Sequence, residues 1–137
     1  VMDAMVAALD TGKELPWVPE EATDYVCSMG EVLIRFLDSL HESVIPASLH
    51  RLALDASQSG SAARNFLAYL PTVHFNVFTY LTAFLREVLA HAATNHLTSS
   101  ALAAVFAVVL LRVPPVMKAK GDINTKKRVE FMQHFLL

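Results

Sequence analysis

A chain of 137 residues that is 54% apolar and 18% charged can bury one real core and is too apolar to stay disordered. Its formal net charge of -2 argues against a nucleic-acid partner held by overall charge. The single cysteine, Cys27, excludes an internal disulfide and a thiolate metal cluster, and fits a reducing compartment.

In chain order, Val1–Leu9 reads as the end of a helix with Met5, Val6 and Leu9 on its apolar side and Gly12 as its stop. "KELPWVPEEA" carries Pro16 and Pro19 and reads as a loop. Trp17 is expected to fold back over the core rather than face a partner, because it carries about 200 Å² of mostly apolar surface. Thr23 is an expected N-cap with Asp24 in the first turn. Val26, Met29, Leu33, Phe36, Leu37 and Leu40 come after it at helical spacing, and Pro46 opens the next segment. A third helix is expected from about Ser48 to Asp55, then a loop "SQSGS", then a short helix Ala62–Tyr69.

Pro71 suits a first helical turn. After it Val73, Val77, Tyr80, Leu81, Phe84, Val88 and Leu89 form one apolar stripe over about five turns. Thr98 or Ser99 caps the next helix, whose run Ala101–Leu111 is apolar on nearly all sides and should be central. That run is eleven residues long, against the roughly 20 that a bilayer requires, and Arg112 with Pro114-Pro115 closes it. A buried helix is therefore expected rather than a membrane span. "VPPVMKAKGDIN" reads as a loop, and Thr125 as the cap of a last helix with Val129, Phe131, Met132, Phe135 and Leu136 facing the core. No segment shows the two-residue alternation of a strand, so the expected class is all-α, a bundle of six or seven helices.

Chemistry is sparse. Asp38, Ser39, His41, Glu42 and Ser43 include the residue types of a hydrolase triad, but no glycine-bounded nucleophile elbow surrounds them. The six histidines show no zinc-protease step, so no metal is expected, and the imidazoles should be solvated or capped. Four unclustered glycines exclude a phosphate-cradling loop of the glycine-rich kind. Lys118, Lys120, Lys126, Lys127 and Arg128 form a basic run that could meet a partner or an anionic membrane at about 1 kcal/mol per residue, the plainer reading being a solvated loop and helix start. Residues alone thus indicate a soluble helical domain suited to binding rather than catalysis.

Four stretches, read together, resemble the Rho GTPase-activating (RhoGAP) domain. "VLIRFLDSLHESVIP" (32–46) is similar to a segment of the form LLKxFLRELPEPLIP. "YLPTVHFNVFTYLTAFLREVL" (69–89) is similar to LPxxNxxLLxxLxxHL, and "LAAVFAVVLLR" (102–112) to LAxVFGPNLL. "LDTG" (9–12) stands where the preceding helix ends. The form approached most nearly is the RhoGAP-like domain of the inositol polyphosphate 5-phosphatases of the Lowe oculocerebrorenal syndrome and type II kind, through "NVFTYLTAFLREVL", the arginine-proline stretch after it and the closing "FLL".

The resemblance implies a RhoGAP-like bundle over residues 1–137, N-terminally truncated. The first helices and the arginine-finger loop would precede Val1, as a non-Met start inside an apolar run also suggests. In an active member an arginine finger accelerates GTP hydrolysis by about 10³–10⁵. A lysine and an arginine steady that loop, and an asparagine supports the GTPase contact. Those positions map to Ile34, Asp38 and Val109, and none of these can do the work. The Pro-Glu-Pro turn becomes His41-Glu42-Ser43, and His74 replaces the asparagine of the LPxxN segment.

The implied module is therefore a cofactor-free pseudo-GAP of a phosphoinositide 5-phosphatase. Its implied partners are adaptor helices carrying a phenylalanine-and-histidine motif and Rac-type GTPases, at cytoplasmic faces of endosomal, endocytic and Golgi membranes. The alternative is a working GTPase-activating domain with displaced catalytic residues, for which Arg35 is the nearest substitute, although it projects about 100° around the helix from Ile34.

Overall fold

The computed structural model describes residues 2–14, 22–119, 121 and 124–137. The chain divides into two units, Val1–Leu40 and His41–Leu137. Trp17 lies outside the described residues, as do Lys120 and the loop around Pro16 and Pro19.

The first unit pairs α1 (Met2–Thr11) with α2 (Ala22–Ser39). The expected stop after α1 is real. Gly12 takes φ +68, its N–H donates to Leu9 O, and the Lys13 N–H donates to Ala8 O at 2.9 Å. That is the paired bonding of a Schellman ending, which a glycine in the left-handed region allows. Met5 and Val32 form the small core, with Val6 packed against it. Leu9, Val26, Met29 and Phe36, expected on core faces, are exposed. α2 starts at Ala22, so Thr23 lies within the helix rather than ahead of it.

The second unit holds α3 (His50–Ala56), α4 (Gly60–Phe66), α5 (Thr72–Ala90), α6 (Ala92–Asn95), α7 (Ser99–Leu110), α8 (Pro115–Ala119) and α9 (Thr125–Leu136). Short 3-10 turns at Ala47–Leu49 and Leu67–Tyr69 precede α3 and follow α4. With α1 and α2 the described residues form nine α-helices and no strand. The class is all-α. The short helices α6 and α8 exceed the expected count, and α8 lies inside the expected loop.

Caps explain several boundaries. Ser59 Oγ accepts from Ala62 N at 3.2 Å, so α4 starts two residues before its expected start. Thr98 Oγ1 accepts from Ala101 N at 3.1 Å and is the cap expected for α7. Thr98→Ala should cost about 1 kcal/mol, read as a lower urea midpoint at unchanged slope, while Thr98→Ser stays within a few tenths. Thr125 is not a cap. It is the first residue of α9, and Asn124 precedes it in the left-handed region at φ 45, where asparagine is tolerated.

α9, rather than α7, is the hub: it packs on α3, α4, α5 and α7. Its Phe131 meets Phe66 edge-on at 5.3 Å between ring centroids, and Phe78 meets Phe135 edge-on at 4.9 Å. Edge-to-face rings place a positive rim on a negative face and add to the apolar burial. Arg86 Nη1 donates to Phe135 O at 2.9 Å and so satisfies a carbonyl in the last turn of α9.

Two expected faces are corrected. α7 buries Leu102, Phe106, Val109 and Leu110 but leaves Val105 and Val108 outside. α5 buries Phe78, Leu81, Thr82 and Leu85, whereas Val73, Val77, Tyr80 and Phe84 of the expected stripe point outward, Tyr80 at 78% exposure.

Candidate functional site

The 41–46 turn at the start of the second unit is braced by several hydrogen bonds. Ser43 is buried, and its Oγ donates to Ile45 O at 2.6 Å. The Ile45 N–H donates to Leu110 O at 2.9 Å, tying the turn to the end of α7. From α5, His74 Nδ1 donates to Val44 O at 2.8 Å, while Nε2 stands 3.7 Å from Glu42 Oε2. Arg112 Nη2 reaches His41 O at 3.3 Å. The histidine in place of the LPxxN asparagine is thus a strap on the turn.

Behind the turn lies a buried polar cluster. His50 Nε2 donates to Ile45 O at 2.7 Å, which leaves Nδ1 as an acceptor. Arg128 Nη1 donates to Nδ1 at 3.0 Å and to Leu111 O at 2.7 Å. The geometry requires a neutral imidazole. Burial pushes the His50 pKa below its ordinary value and the Arg128 charge pushes it further, against the opposing hydrogen bond to Ile45 O.

Ser43 Oγ lies 3.5 Å from His50 Nε2, which looks like a nucleophile and its base. It is neither, because both groups donate to the same Ile45 carbonyl and both are buried. Ser39 Oγ donates to Phe36 O at 2.7 Å. Ser39 and Ser43, the two serines of the run, are therefore used structurally.

Three of the six histidines bond inward rather than standing in solvent, and three are exposed as expected. His50, His74 and His134 each donate to a backbone carbonyl, His134 Nε2 to Ser57 O at 2.6 Å. His41, His91 and His96 are exposed. Among the described residues no group of three or more His, Cys, Asp or Glu is placed to hold a metal ion.

Of the three mapped positions, Ile34 is half-buried and Asp38 exposed, one turn apart on α2 in the first unit. Val109 lies in α7 of the second unit and is 4% exposed. In the basic run, Lys118, Lys126 and Lys127 are exposed. Arg128 is corrected: it is 3% exposed and bonds inward, so it leaves the surface set. The signal was in the spacing, since Arg128 stands three, four and seven residues before Phe131, Met132 and Phe135 and so shares their face. His50 precedes buried Ala53 and Leu54 by the same first two steps.

The first unit carries a half-open groove of about 240 Å³ lined by Val6, Leu9, Asp10, Val32, Arg35 and Phe36. That is below the range of about 300–1,000 Å³ usual for small-molecule pockets and fits a side chain better than a cofactor.

An all-helical domain with a braced turn before α3 and an LPxx stretch from Leu70 leading into α5 has the parts of a GTPase-activating fold. The RhoGAP domain model matches residues 1–115, and the chain belongs to that family. Its relatives place it near the phosphatase-linked form of the domain. It is 40% identical over 109 residues to the mouse (Mus musculus) type II inositol 1,4,5-trisphosphate 5-phosphatase, covering 80% of this chain and 11% of that protein. It is 34% identical to human (Homo sapiens) Rho GTPase-activating protein 11A over 75% of the chain and 10% of that protein, and 34% identical to human Rho GTPase-activating protein 1 over 69% and 23%. The chain therefore spans between about a tenth and a quarter of the length of these relatives.

Proposed function

We propose that this domain is a catalytically inactive RhoGAP-like interaction module of an inositol polyphosphate 5-phosphatase, one that docks partners to help localise the phosphatase. One observation carries the reading. The three positions that would steady a finger loop and a GTPase hold Ile34, Asp38 and Val109. Isoleucine and valine donate no hydrogen bond, aspartate reverses the required charge, and Val109 is 4% exposed, out of reach of a bound partner.

The partners proposed are Rho-family GTPases, bound without acceleration, and amphipathic helices of endocytic adaptors with a phenylalanine-and-histidine motif. The outward stripe Val73, Val77, Tyr80 and Phe84 supports the second class. It repeats at steps of four, three and four, the spacing on which a partner helix lays its apolar face. Among the described residues no helix is long and apolar enough to cross a membrane. Peripheral placement at endosomal and Golgi membranes belongs to this proposal.

A competing reading, an active GTPase-activating domain with displaced residues, draws support from the 34% identity to two proteins named for that activity and from Arg35 beside Ile34. One assay separates them. The chain, extended by the family's first helices, is mixed with a GTP-loaded Rac-type GTPase. Hydrolysis should rise less than about 10-fold; an increase above about 100-fold would establish the active reading, since a working finger gives about 10³–10⁵.

A further inference from the structure

We propose that Lys118, Lys126 and Lys127, exposed at the end of α8 and the start of α9, form a contact surface for an anionic lipid bilayer. This deepens the peripheral placement proposed above by naming a lipid contact, and it does not depend on GTPase or adaptor docking. Four of the five lysines of the chain fall between residues 118 and 127. Residues 116–128 hold five cations and one carboxylate, net +4; the rest of the chain holds six cations and twelve carboxylates, net -6. So marked a separation of charge in an acidic chain orients it toward a negative surface.

The local structure sharpens the point. Arg128 turns inward to Leu111 O and His50, leaving Lys118, Lys126 and Lys127 exposed at this end. The first turn of α9 contains no acidic residue and carries Lys126 and Lys127. A helix start is the positive end of the macrodipole, so two cations there are disfavoured until an anion approaches. Lys126 meets Glu130 only at 3.9 Å and is 89% exposed, a weak solvent-screened contact.

A bilayer fits better than an acidic protein. The segment projects long lysine side chains from a short helix and a helix start, and a plane of headgroups pairs with such charges in any register.

Flotation of the chain with vesicles tests this. Phosphatidylcholine vesicles should recover little protein, and phosphatidylcholine–phosphatidylserine vesicles much more. Each lysine near an anionic leaflet is worth about a fivefold change in partition, so the triple variant Lys118→Gln, Lys126→Gln, Lys127→Gln should bind about 100-fold less. The triple Lys→Arg variant should bind as the parent does, and Lys13→Gln, outside the segment, should change nothing. Raising salt from about 0.1 to 1 M shortens the Debye length from about 10 to 3 Å and should release the chain. Circular dichroism of each variant checks that the helices persist. Equal binding to neutral vesicles, a triple Gln variant that binds like the parent, or binding indifferent to salt would overturn the proposal. So would release by inorganic phosphate at constant ionic strength, which would assign the lysines to a soluble phosphate ligand.

Discussion

Phe131→Ala lowers the unfolding free energy of the chain by about 3–5 kcal/mol. Phe131 is fully buried, and its ring lies between three others. It meets Phe66 at 5.3 Å, Phe135 at 5.1 Å and Phe78 at 6.3 Å between centroids. These rings come from α4, α5 and α9, so the cavity left by truncation opens where three helices meet, and no single helix can shift to close it. The cost exceeds simple transfer because of the cavity left behind and because Phe66 also loses its edge-to-face partner. Urea unfolding of the full chain reads the effect. Phe131→Leu, which keeps most of the volume, should cost well under half as much. Tyr80→Ala, at 78% exposure, should stay within about 0.5 kcal/mol. A Phe131→Ala loss below about 1 kcal/mol would mean that the four rings are not the core of this unit.

Composition explains why α9 was legible and α5 only half so. α9 has one apolar face, Phe131, Met132, Phe135 and Leu136, opposite lysines and glutamate, and the sequence spacing picks it out. α5 is apolar on two sides. Val73, Val77, Tyr80 and Phe84 satisfy helical periodicity as well as Phe78, Leu81 and Leu85 do, so periodicity establishes the helix but not which side is buried. Here the second set won, because Phe78 reaches the α9 rings. Single-residue devices were readable where one side chain decides the outcome, as at Thr98 and Gly12. They were not at Asn124, which takes the left-handed region before α9 with no side-chain cap bond to signal it.

The candidate site shows the same division. The family-bearing strings stand in the linear sequence, and the mapping proposed for Ile34, Asp38 and Val109 needs no coordinates. The braces of the 41–46 turn do need them. His74 joins Val44 across 30 residues, and Arg128 joins His50 across 78. Charge counting put Arg128 in a surface run because a buried arginine is rare unless it is bonded, and its acceptors, Leu111 O and His50 Nδ1, are invisible in the local sequence.

That pairing gives the second large effect. Arg128→Met strands two acceptors, Leu111 O and His50 Nδ1. At about 1–3 kcal/mol for each buried group left unsatisfied, the loss should be about 2–6 kcal/mol. Arg128→Lys should fall between, because an ammonium on an unforked stem cannot hold both acceptors in the same geometry. The pH dependence identifies the mechanism. His50 titrates below its ordinary 6.5 in the folded chain, chiefly through burial and secondarily through Arg128. Between the folded pKa and 6.5 the unfolded chain holds more protons than the folded one, so stability rises with pH there. The His50 contribution is complete above 6.5 and is lost as pH falls through that window. Protonation at Nδ1 would also set a donor against the Arg128 Nη1 donor 3.0 Å away. Urea unfolding from about pH 5 to 7.5 should therefore show a slope in the parent that shrinks in His50→Gln, whose amide does not titrate. In Arg128→Met the slope should diminish without vanishing, because burial, the larger cause, remains. An unchanged slope in His50→Gln would remove His50 from the acid response, and an unchanged slope in Arg128→Met would separate the guanidinium from it.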